Sequence, residues 1–172
     1  NDAFGQHIAS TERFDDKLPL AIVMEEAKKY YANIVMGYSP QVKRVMDNVA
    51  KMNLDIEMIA PSHGIIWRNH IDEIMKNYQS WSNGEIKDKA LIVYDTMWGS
   101  TDKIAHALQG MFEALEIDVS VKNLDIHHIS DVMTEVLEAK YICVGSPTLN
   151  NNMLPTVASF LTYLKGLSPK NK

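Results

Sequence analysis

The chain has 172 residues and a formal net charge of -5, with 46% hydrophobic and 23% charged residues. This composition is typical of a globular protein and excludes a disordered one. The acidic balance and the lack of a Lys/Arg stripe exclude a general nucleic-acid binder. No apolar stretch reaches the roughly 20 residues of a membrane-spanning helix, so we expect no membrane segment.

Two further features concern the setting of the chain. The single cysteine, Cys143, lies in an apolar run, so we expect a buried and inert thiol. One cysteine excludes a disulfide within this sequence, which favours the cytoplasm. Because the sequence begins with Asn-Asp and nothing closes the fold after its last predicted helix, we expect a piece of a longer polypeptide.

The first elements in chain order are two helices. Apolar residues at helical spacing over 18–36 predict a helix that Gly37 ends. Ser39 and Pro40 fit an N-cap and the first helical position of a second helix, which extends to about Met52.

A mixed stretch follows the second predicted helix. Residues 56–60, IEMIA, predict a short strand that Pro61 ends, and a loop holds His63. The pattern over 69–80 predicts a third helix. The polar stretch 81–89, with Asn-Gly at its centre, predicts a linker between two domains.

After the linker, strands and helices alternate. The predicted strands and helices follow in the order 89–96, 100–115, 118–125, 128–139, 139–148 and 154–167. The first and third strands are nearly continuous apolar runs that suit burial on both faces, whereas the second alternates and belongs nearer an edge. Right-handed crossovers then predict a parallel doubly wound sheet. We place the two domains at 1–85 and 86–172.

Two loops rich in small and hydrogen-bonding residues follow the first and third predicted strands. They are YDTMWGST at 94–101 and GSPTLNNNM at 145–153. In an open parallel sheet, ligands bind beyond the carboxyl ends of strands, at the point where the strand order reverses. We therefore expect both loops to line one cleft.

The first of these loops suits a phosphate group without Lys or Arg. Thr96, Ser100 and Thr101 supply hydroxyl donors, Gly99 allows close backbone approach, and the following helix presents free N–H groups at its start. The alternative is that Ser100 is only an N-cap and Gly99 only a turn residue, which leaves both threonines unexplained.

Other nucleotide-binding folds lack their motifs here. Neither G-x-G-x-x-G nor G-x-x-x-x-G-K-[ST] occurs in this loop. A phospho-acceptor receiver domain needs an Asp at the end of the third strand, where this sequence has Gly145, Ser146 and Pro147.

Four motifs together resemble one family. DTMWGSTDKIA and VGSPTLNNNMLP resemble the two flavin mononucleotide (FMN) loops of the flavodoxin module in flavodiiron proteins. NDAFGQH and APSHGIIWR resemble two metal-site motifs in the C-terminal part of that family's metallo-β-lactamase-like domain. The resemblance covers essentially the whole chain. It implies an α/β fold, in which the C-terminal part of a metallo-β-lactamase-like αββα domain precedes the first half of a flavodoxin-like doubly wound parallel sheet.

The resemblance also implies site residues. Asp2 would bridge two non-haem irons and His63 would bind one of them. His7 would contact a metal ligand rather than the metal, or else bond only to a nearby backbone carbonyl. The remaining iron ligands lie outside this sequence, and no catalytic residue is implied beyond the ligands. The implied flavin-binding residues are Thr96, Met97, Trp98, Gly99, Ser100, Thr101, Pro147, Thr148, Leu149, Asn150, Asn151 and Asn152.

Within that set, we expect the first six residues to wrap the phosphate and the last six to run along the isoalloxazine ring, with backbone groups meeting its polar edge. Trp98 would cover the flavin or serve as an interface anchor.

The function implied is that of a flavodiiron oxidoreductase, which passes electrons from FMN to a diiron site that reduces dioxygen to water, nitric oxide to nitrous oxide, or both. The donor would be rubredoxin or a reduced deazaflavin coenzyme, and a head-to-tail homodimer would bring flavin and iron together. The fragment alone is expected to be inactive. The alternatives are an electron carrier or flavin reductase without diiron catalysis, and a hydrolase of the metallo-β-lactamase superfamily.

Overall fold

The structure is a computed structural model and describes residues 2–169. Contacts divide the chain into two compact units, with the boundary between Glu85 and Ile86. None of the helices in the described residues is long and apolar enough to cross a membrane.

The first unit is mainly helical. It contains α1 (Leu20–Tyr30), α2 (Ser39–Met52) and α3 (Ile71–Asn83), with a short 3-10 turn at Asp15–Lys17 before α1. Its core holds an aromatic cluster in which the ring of Tyr31 lies 5.1 Å from that of Tyr78 and 5.3 Å from that of Trp81. All three rings are buried. Packing of this apolar cluster holds the chain directly after α1 against α3.

The junction between α1 and α2 differs from the prediction. A π-helical turn at Tyr31–Val35 and a 3-10 turn at Met36–Tyr38 follow α1 directly, so Gly37 does not end the helical path. Ser39 is not an N-cap, because its hydroxyl donates to the carbonyl of Met36 at 2.7 Å. The residues directly before α2 are already helical, so the first N–H groups of α2 need no side-chain cap.

The strand predicted at 56–60 is wrong. In this fully described stretch only Ile59 pairs, through one antiparallel bridge to Trp67 with N···O distances of 2.9 and 3.0 Å. The linker prediction at 81–89 is too wide, because α3 continues to Asn83. Gly84 then ends the helix with φ of 69°.

A buried carboxylate fixes the start of α3. Asp15 is fully buried, and its oxygens accept hydrogen bonds from the backbone N–H groups of Arg68, Asn69 and His70 at 2.7 to 3.2 Å. These groups precede the first turn of α3, where backbone N–H groups need partners from outside the helix. Asp15 therefore anchors the segment that carries His63 and Trp67 into the helix.

The second unit is a parallel sheet with helices between the strands. Its elements are β1 (Lys87–Tyr94), α4 (Ser100–Ala114), β2 (Asp118–Asn123), α5 (Ile129–Val136), β3 (Ala139–Gly145) and α6 (Pro155–Leu167). The strand order is β2-β1-β3, so β1 is central and β2 lies at an edge, as predicted. The predicted doubly wound α/β arrangement is confirmed.

The register brings the carboxyl ends of the strands together. Tyr94, at the end of β1, pairs with Asn123 of β2 and with Gly145 of β3. The loops that leave β1 and β3 consequently start side by side.

One apolar cluster lies between β1 and α4. Ile92, Tyr94 and Ala105 are buried, and partly buried neighbours pack against them, among them Cys143. The expectation of a buried Cys143 thiol is wrong: Cys143 is only partly buried, because β3 is an edge strand in the described residues.

Candidate functional site

Asp2 and His63 lie next to each other in the first unit. The distance from Asp2 Oδ1 to His63 Nε2 is 3.5 Å, and more than half of each side chain is exposed. The two residues are far apart in sequence, so the fold has to bring them together.

The side chain of Gln6 joins the two segments that carry this pair. Gln6 is 1% exposed. Its amide nitrogen donates to the carbonyl of Phe4 at 2.9 Å, and its amide oxygen accepts from the N–H of Ile65 at 2.7 Å. The backbone N–H of Gln6 also donates to the carbonyl of His63 at 3.3 Å. A buried amide with both ends satisfied fixes the relative position of the two loops.

Phe4 anchors the first segment to the helical core. Its φ of 66° is unusual for a bulky residue, and such a conformation persists only where neighbours enforce it. Its N–H donates to the hydroxyl of Tyr78 at 2.6 Å, and its carbonyl accepts from the indole N–H of Trp67 at 2.9 Å. The backbone two residues after Asp2 is therefore held rigidly in place.

Gly64 follows His63 directly and allows the close approach of Gln6. Its φ is 82°, and a Cβ at this position would lie 2.0 Å from Gln6 Oε1 and 2.5 Å from the carbonyl oxygen of Gln6. No L-residue with a side chain fits there without displacing the buried amide.

We expect the substitution Gly64→Ala to destabilise the protein by about 2 to 4 kcal/mol, because it combines a strained backbone with the loss of buried hydrogen bonds. The matched control is Gly110→Ala within α4, where a Cβ would meet nothing within 4 Å. That control should be neutral or stabilising. Urea unfolding of both variants measures the difference, and equal midpoints would contradict this role of Gly64.

His7 and Tyr30 lie beside the Asp2–His63 pair. The ring of His7 is 6.4 Å from that of His63 and packs edge-on against Tyr30, with centroids 4.8 Å apart. Burial raises the pKa of the Tyr30 phenol, and the charge of Asp2 and a hydrogen bond to it raise that pKa further. The phenol thus stays protonated and can donate to the Asp2 carboxylate.

A carboxylate beside an imidazole suits non-haem iron. The described part of the chain contains no group of three or more His, Cys, Asp or Glu residues that could hold a metal ion. Asp2 and His63 fit two ligands of such a centre, and a complete centre needs further ligands.

The loop after β1 leads into a helix whose start has no side-chain cap. Gly99 occupies the N-cap position with φ of 80°, so Ser100 is the first helical residue and not the N-cap. The first helical hydrogen bond runs from the N–H of Lys103 to the carbonyl of Gly99. The N–H groups of residues 100–102 therefore lie outside the helical ladder and point toward the loop.

The side chains of this loop differ in exposure. Thr101 is 8% exposed, Ser100 is exposed, and Trp98 at 88% is one of the most exposed apolar residues. The hydroxyl oxygen of Thr96 accepts from the N–H of Gly99 at 3.0 Å, which closes the loop on itself. The Thr96 hydroxyl hydrogen is still available to a ligand.

Tyr94 holds the end of β1 in place. Its hydroxyl donates to Asp102 Oδ1 at 2.5 Å, and its carbonyl accepts from the N–H of Leu124 at 2.8 Å. Burial, together with the hydrogen bond and charge of Asp102, raises the pKa of Tyr94 to about 12, so the phenol remains a donor. The strand end is thus tied to the first turn of α4.

The loop after β3 contains a tight turn. Asn150 and Asn151 have φ of 50° and 61°, as a type I′ turn requires, and asparagine tolerates this conformation. Leu149 and Asn152 exchange two backbone hydrogen bonds of 2.7 and 2.9 Å across it. Their N–H groups are therefore occupied, while each carbonyl oxygen keeps a second acceptor site for a ligand.

The two loops meet at their bases. The N–H of Asp95 donates to the carbonyl of Gly145 at 3.2 Å. A Cβ on Gly145 would lie 3.0 Å from the methyl group of Thr101, so glycine lets α4 pack closely on β3 at this point.

Comparison with known proteins agrees with this geometry. The Flavodoxin family model matches residues 92–172. All of the chain aligns with the nitric oxide reductase of Moorella thermoacetica at 49% identity, covering 43% of that protein. Rubredoxin oxygen:oxidoreductase from Desulfovibrio gigas superposes on 99% of the chain, with a TM-score of 0.95 and 38% identity, over 43% of its own length. The flavodiiron protein from Giardia intestinalis superposes on 97% of the chain and 41% of its own, with a TM-score of 0.92 and 31% identity.

Over essentially its whole length the chain is homologous to flavodiiron proteins. The family predicted from the four motifs is thus confirmed, as is the flavodoxin-like fold of the second unit. The chain spans about two fifths of the length of the relatives it matches.

The sequence analysis missed several residues that position the candidate sites. They are Gln6, Asp15, Gly64 and Asp95. Each makes decisive contacts with residues distant in sequence. Only Gly64, which follows His63 directly, gave a local signal in the sequence.

Proposed function

We propose that this chain supplies the FMN phosphate site and two iron ligands of a flavodiiron oxidoreductase. The whole protein would pass electrons from FMN to a non-haem diiron site that reduces dioxygen, nitric oxide or both. The observation that carries the proposal is the occurrence of both candidate sites in one chain: the uncapped start of α4, and the Asp2–His63 pair at 3.5 Å.

The start of α4 suits the phosphate of FMN. Free N–H groups and the positive end of the helix dipole attract an anion, and the hydroxyls of Ser100 and Thr101 can add hydrogen bonds. Gly99 presents no side chain that would block the approach of the phosphate. Asn150 and Asn151 lie at the tip of the other loop, where we place the isoalloxazine ring.

The Asp2–His63 pair suits one side of a diiron site. A carboxylate can bridge two irons and an imidazole binds one of them. We propose that the further ligands come from residues outside this chain. Bound FMN would supply one-electron steps and the irons the reduction of the bound gas; the residues described here hold and orient these groups.

The substrates and the donor follow from the relatives. The names of two of them specify nitric oxide and oxygen as substrates, and one name specifies rubredoxin as a partner. We propose the same substrates for the whole protein, with rubredoxin or a reduced deazaflavin coenzyme as donor. We also propose a head-to-tail homodimer, because electron transfer needs a short path between flavin and iron.

A second candidate is an electron carrier that binds FMN and holds no iron. This candidate is favoured because the described residues bring only two candidate metal ligands, Asp2 and His63, next to each other. Metal and flavin analysis of the purified full-length protein separates the two candidates. We expect about two irons and about one FMN per chain, with nitric oxide or oxygen consumed when reduced rubredoxin is supplied. FMN without iron would support the carrier, and zinc without flavin would support a metallo-β-lactamase-type hydrolase.

A further inference from the structure

Asp95 is a buried carboxylate at the first residue after β1. It is 8% exposed, and burying a carboxylate is costly unless its oxygens find donors. Oδ1 accepts from the backbone N–H of Thr96 at 2.6 Å, and Oδ2 accepts from the hydroxyl of Thr156. The candidate phosphate donors of the loop do not include this residue, so its burial needs a separate explanation.

Thr156, the second partner of Asp95, lies in the helix that follows the loop after β3. Thr156 lies in the first turn of α6, which begins at Pro155 directly after the loop of the Asn150–Asn151 turn. The hydroxyl oxygen of Ser146 closes that loop by accepting from the N–H of Leu154 at 2.9 Å. One carboxylate therefore bonds to the loop after β1 and to the helix that ends the loop after β3.

The bond to Thr96 also decides which groups the first loop can offer. Asp95 occupies the N–H of Thr96, and the Thr96 hydroxyl oxygen accepts from the N–H of Gly99 at 3.0 Å. Two inner N–H groups are thereby used within the loop. The donors left for an anion include the N–H groups at the start of α4 and the hydroxyl groups of Ser100 and Thr101.

We infer that Asp95 is a positioning residue for the flavin, which fixes the phosphate loop against α6 through Thr96 and Thr156. This inference rests on the proposed binding of FMN. Asp95 does not touch the phosphate in this arrangement, because both of its oxygens already accept hydrogen bonds and its negative charge would repel the anion.

Asp95 fixes the phosphate loop through its hydrogen bonds rather than through its charge. Three substitutions in the full-length protein distinguish the effect of the hydrogen bonds from that of the charge. Asp95→Ala removes both acceptors, and we expect FMN to bind roughly tenfold more weakly, with a smaller change for riboflavin. Asp95→Asn keeps an acceptor for the Thr96 N–H, so FMN affinity should return to within about threefold of the wild type. Thr156→Val removes only the hydroxyl donor from an exposed position and should weaken FMN by roughly threefold.

Titration of flavin fluorescence with FMN and with riboflavin measures these changes, and Thr162→Val on the same helix is the control that should change neither. Wild-type protein that binds no FMN would overturn the proposed function itself. With FMN bound by the wild type, the inference alone is overturned by normal affinity in Asp95→Ala, by equal losses for both flavins, or by Asp95→Asn as weak as Asp95→Ala. If Asp95→Ala fails to fold, Thr156→Val decides, and unchanged FMN affinity in that variant overturns the inference.

Discussion

Replacing Ser100 by Ala and Thr101 by Val together should weaken FMN binding by about 100-fold and leave riboflavin nearly unaffected. Both hydroxyls lie at the uncapped start of α4, where they can donate to the phosphate. A hydrogen bond to a charged group contributes roughly 1.5–3 kcal/mol, and water replaces part of each lost bond. Riboflavin lacks the phosphate, so its contacts come mainly from the loop after β3.

The choice of valine at position 101 follows from packing. Thr101 is nearly buried, and its methyl group lies against Gly145 of β3. Alanine would remove that methyl group along with the hydroxyl and leave a small cavity, whereas valine keeps the shape. The double variant therefore tests hydrogen bonding alone.

Fluorescence titration of the full-length wild type and variant with both flavins gives the two affinities. Thr162→Val, which removes the hydroxyl of Thr162 elsewhere on the second unit, is the matched control. An equal loss of affinity for FMN and riboflavin would show that the loop after β1 only maintains structure and does not bind the phosphate.

The sheet of the second unit could be predicted because its signals are local. The apolar run 90–94 is buried throughout, and the alternating β2 lies at an edge. Gly99 and the residues after it indicated a helix start from their types alone. Parallel pairing then placed the two loops side by side, since crossovers in such sheets have one hand.

The first unit was harder to predict because its stabilising contacts are long-range. Gln6 and Ile65 are 59 residues apart, and Asp15 bonds to backbone groups 53 to 55 residues away. Nothing in the local pattern distinguishes these buried polar residues from solvated ones. Their burial follows only from the folded arrangement, in which each satisfies backbone groups that no helix or strand serves.

The failed strand at 56–60 illustrates the same limit. An apolar run predicts a strand only if another segment offers backbone partners along its length. Trp67 provides a single bridge, and the chain bends away over residues 62–64. The run IEMIA therefore has strand-like composition without a sheet to join.

The substitutions Asp2→Ala and His63→Ala, each made in the full-length protein, should lower the iron content and abolish reductase turnover while FMN remains bound. The two side chains present a carboxylate and an imidazole 3.5 Å apart on loops that Gln6 and Phe4 hold in place. Even a residue that only supports a metal ligand typically contributes 10-fold or more to metal affinity, so the loss of a ligand should cost at least as much. The flavin should be retained because the loops proposed to bind it belong to the other compact unit.

His106→Ala is the control for the loss of an imidazole, because His106 lies exposed on α4 in the second unit. Iron per chain is measured by elemental analysis and FMN by its absorbance, and turnover is followed as nitric oxide or oxygen consumption with reduced rubredoxin. We expect His106→Ala to match the wild type in all three measurements. Normal iron content together with normal turnover in His63→Ala would remove that residue from the metal site, and the same result for Asp2→Ala would remove the bridging carboxylate. Loss of iron and flavin together in either variant would instead indicate that the substitution unfolds the protein, which thermal unfolding of the same samples detects directly.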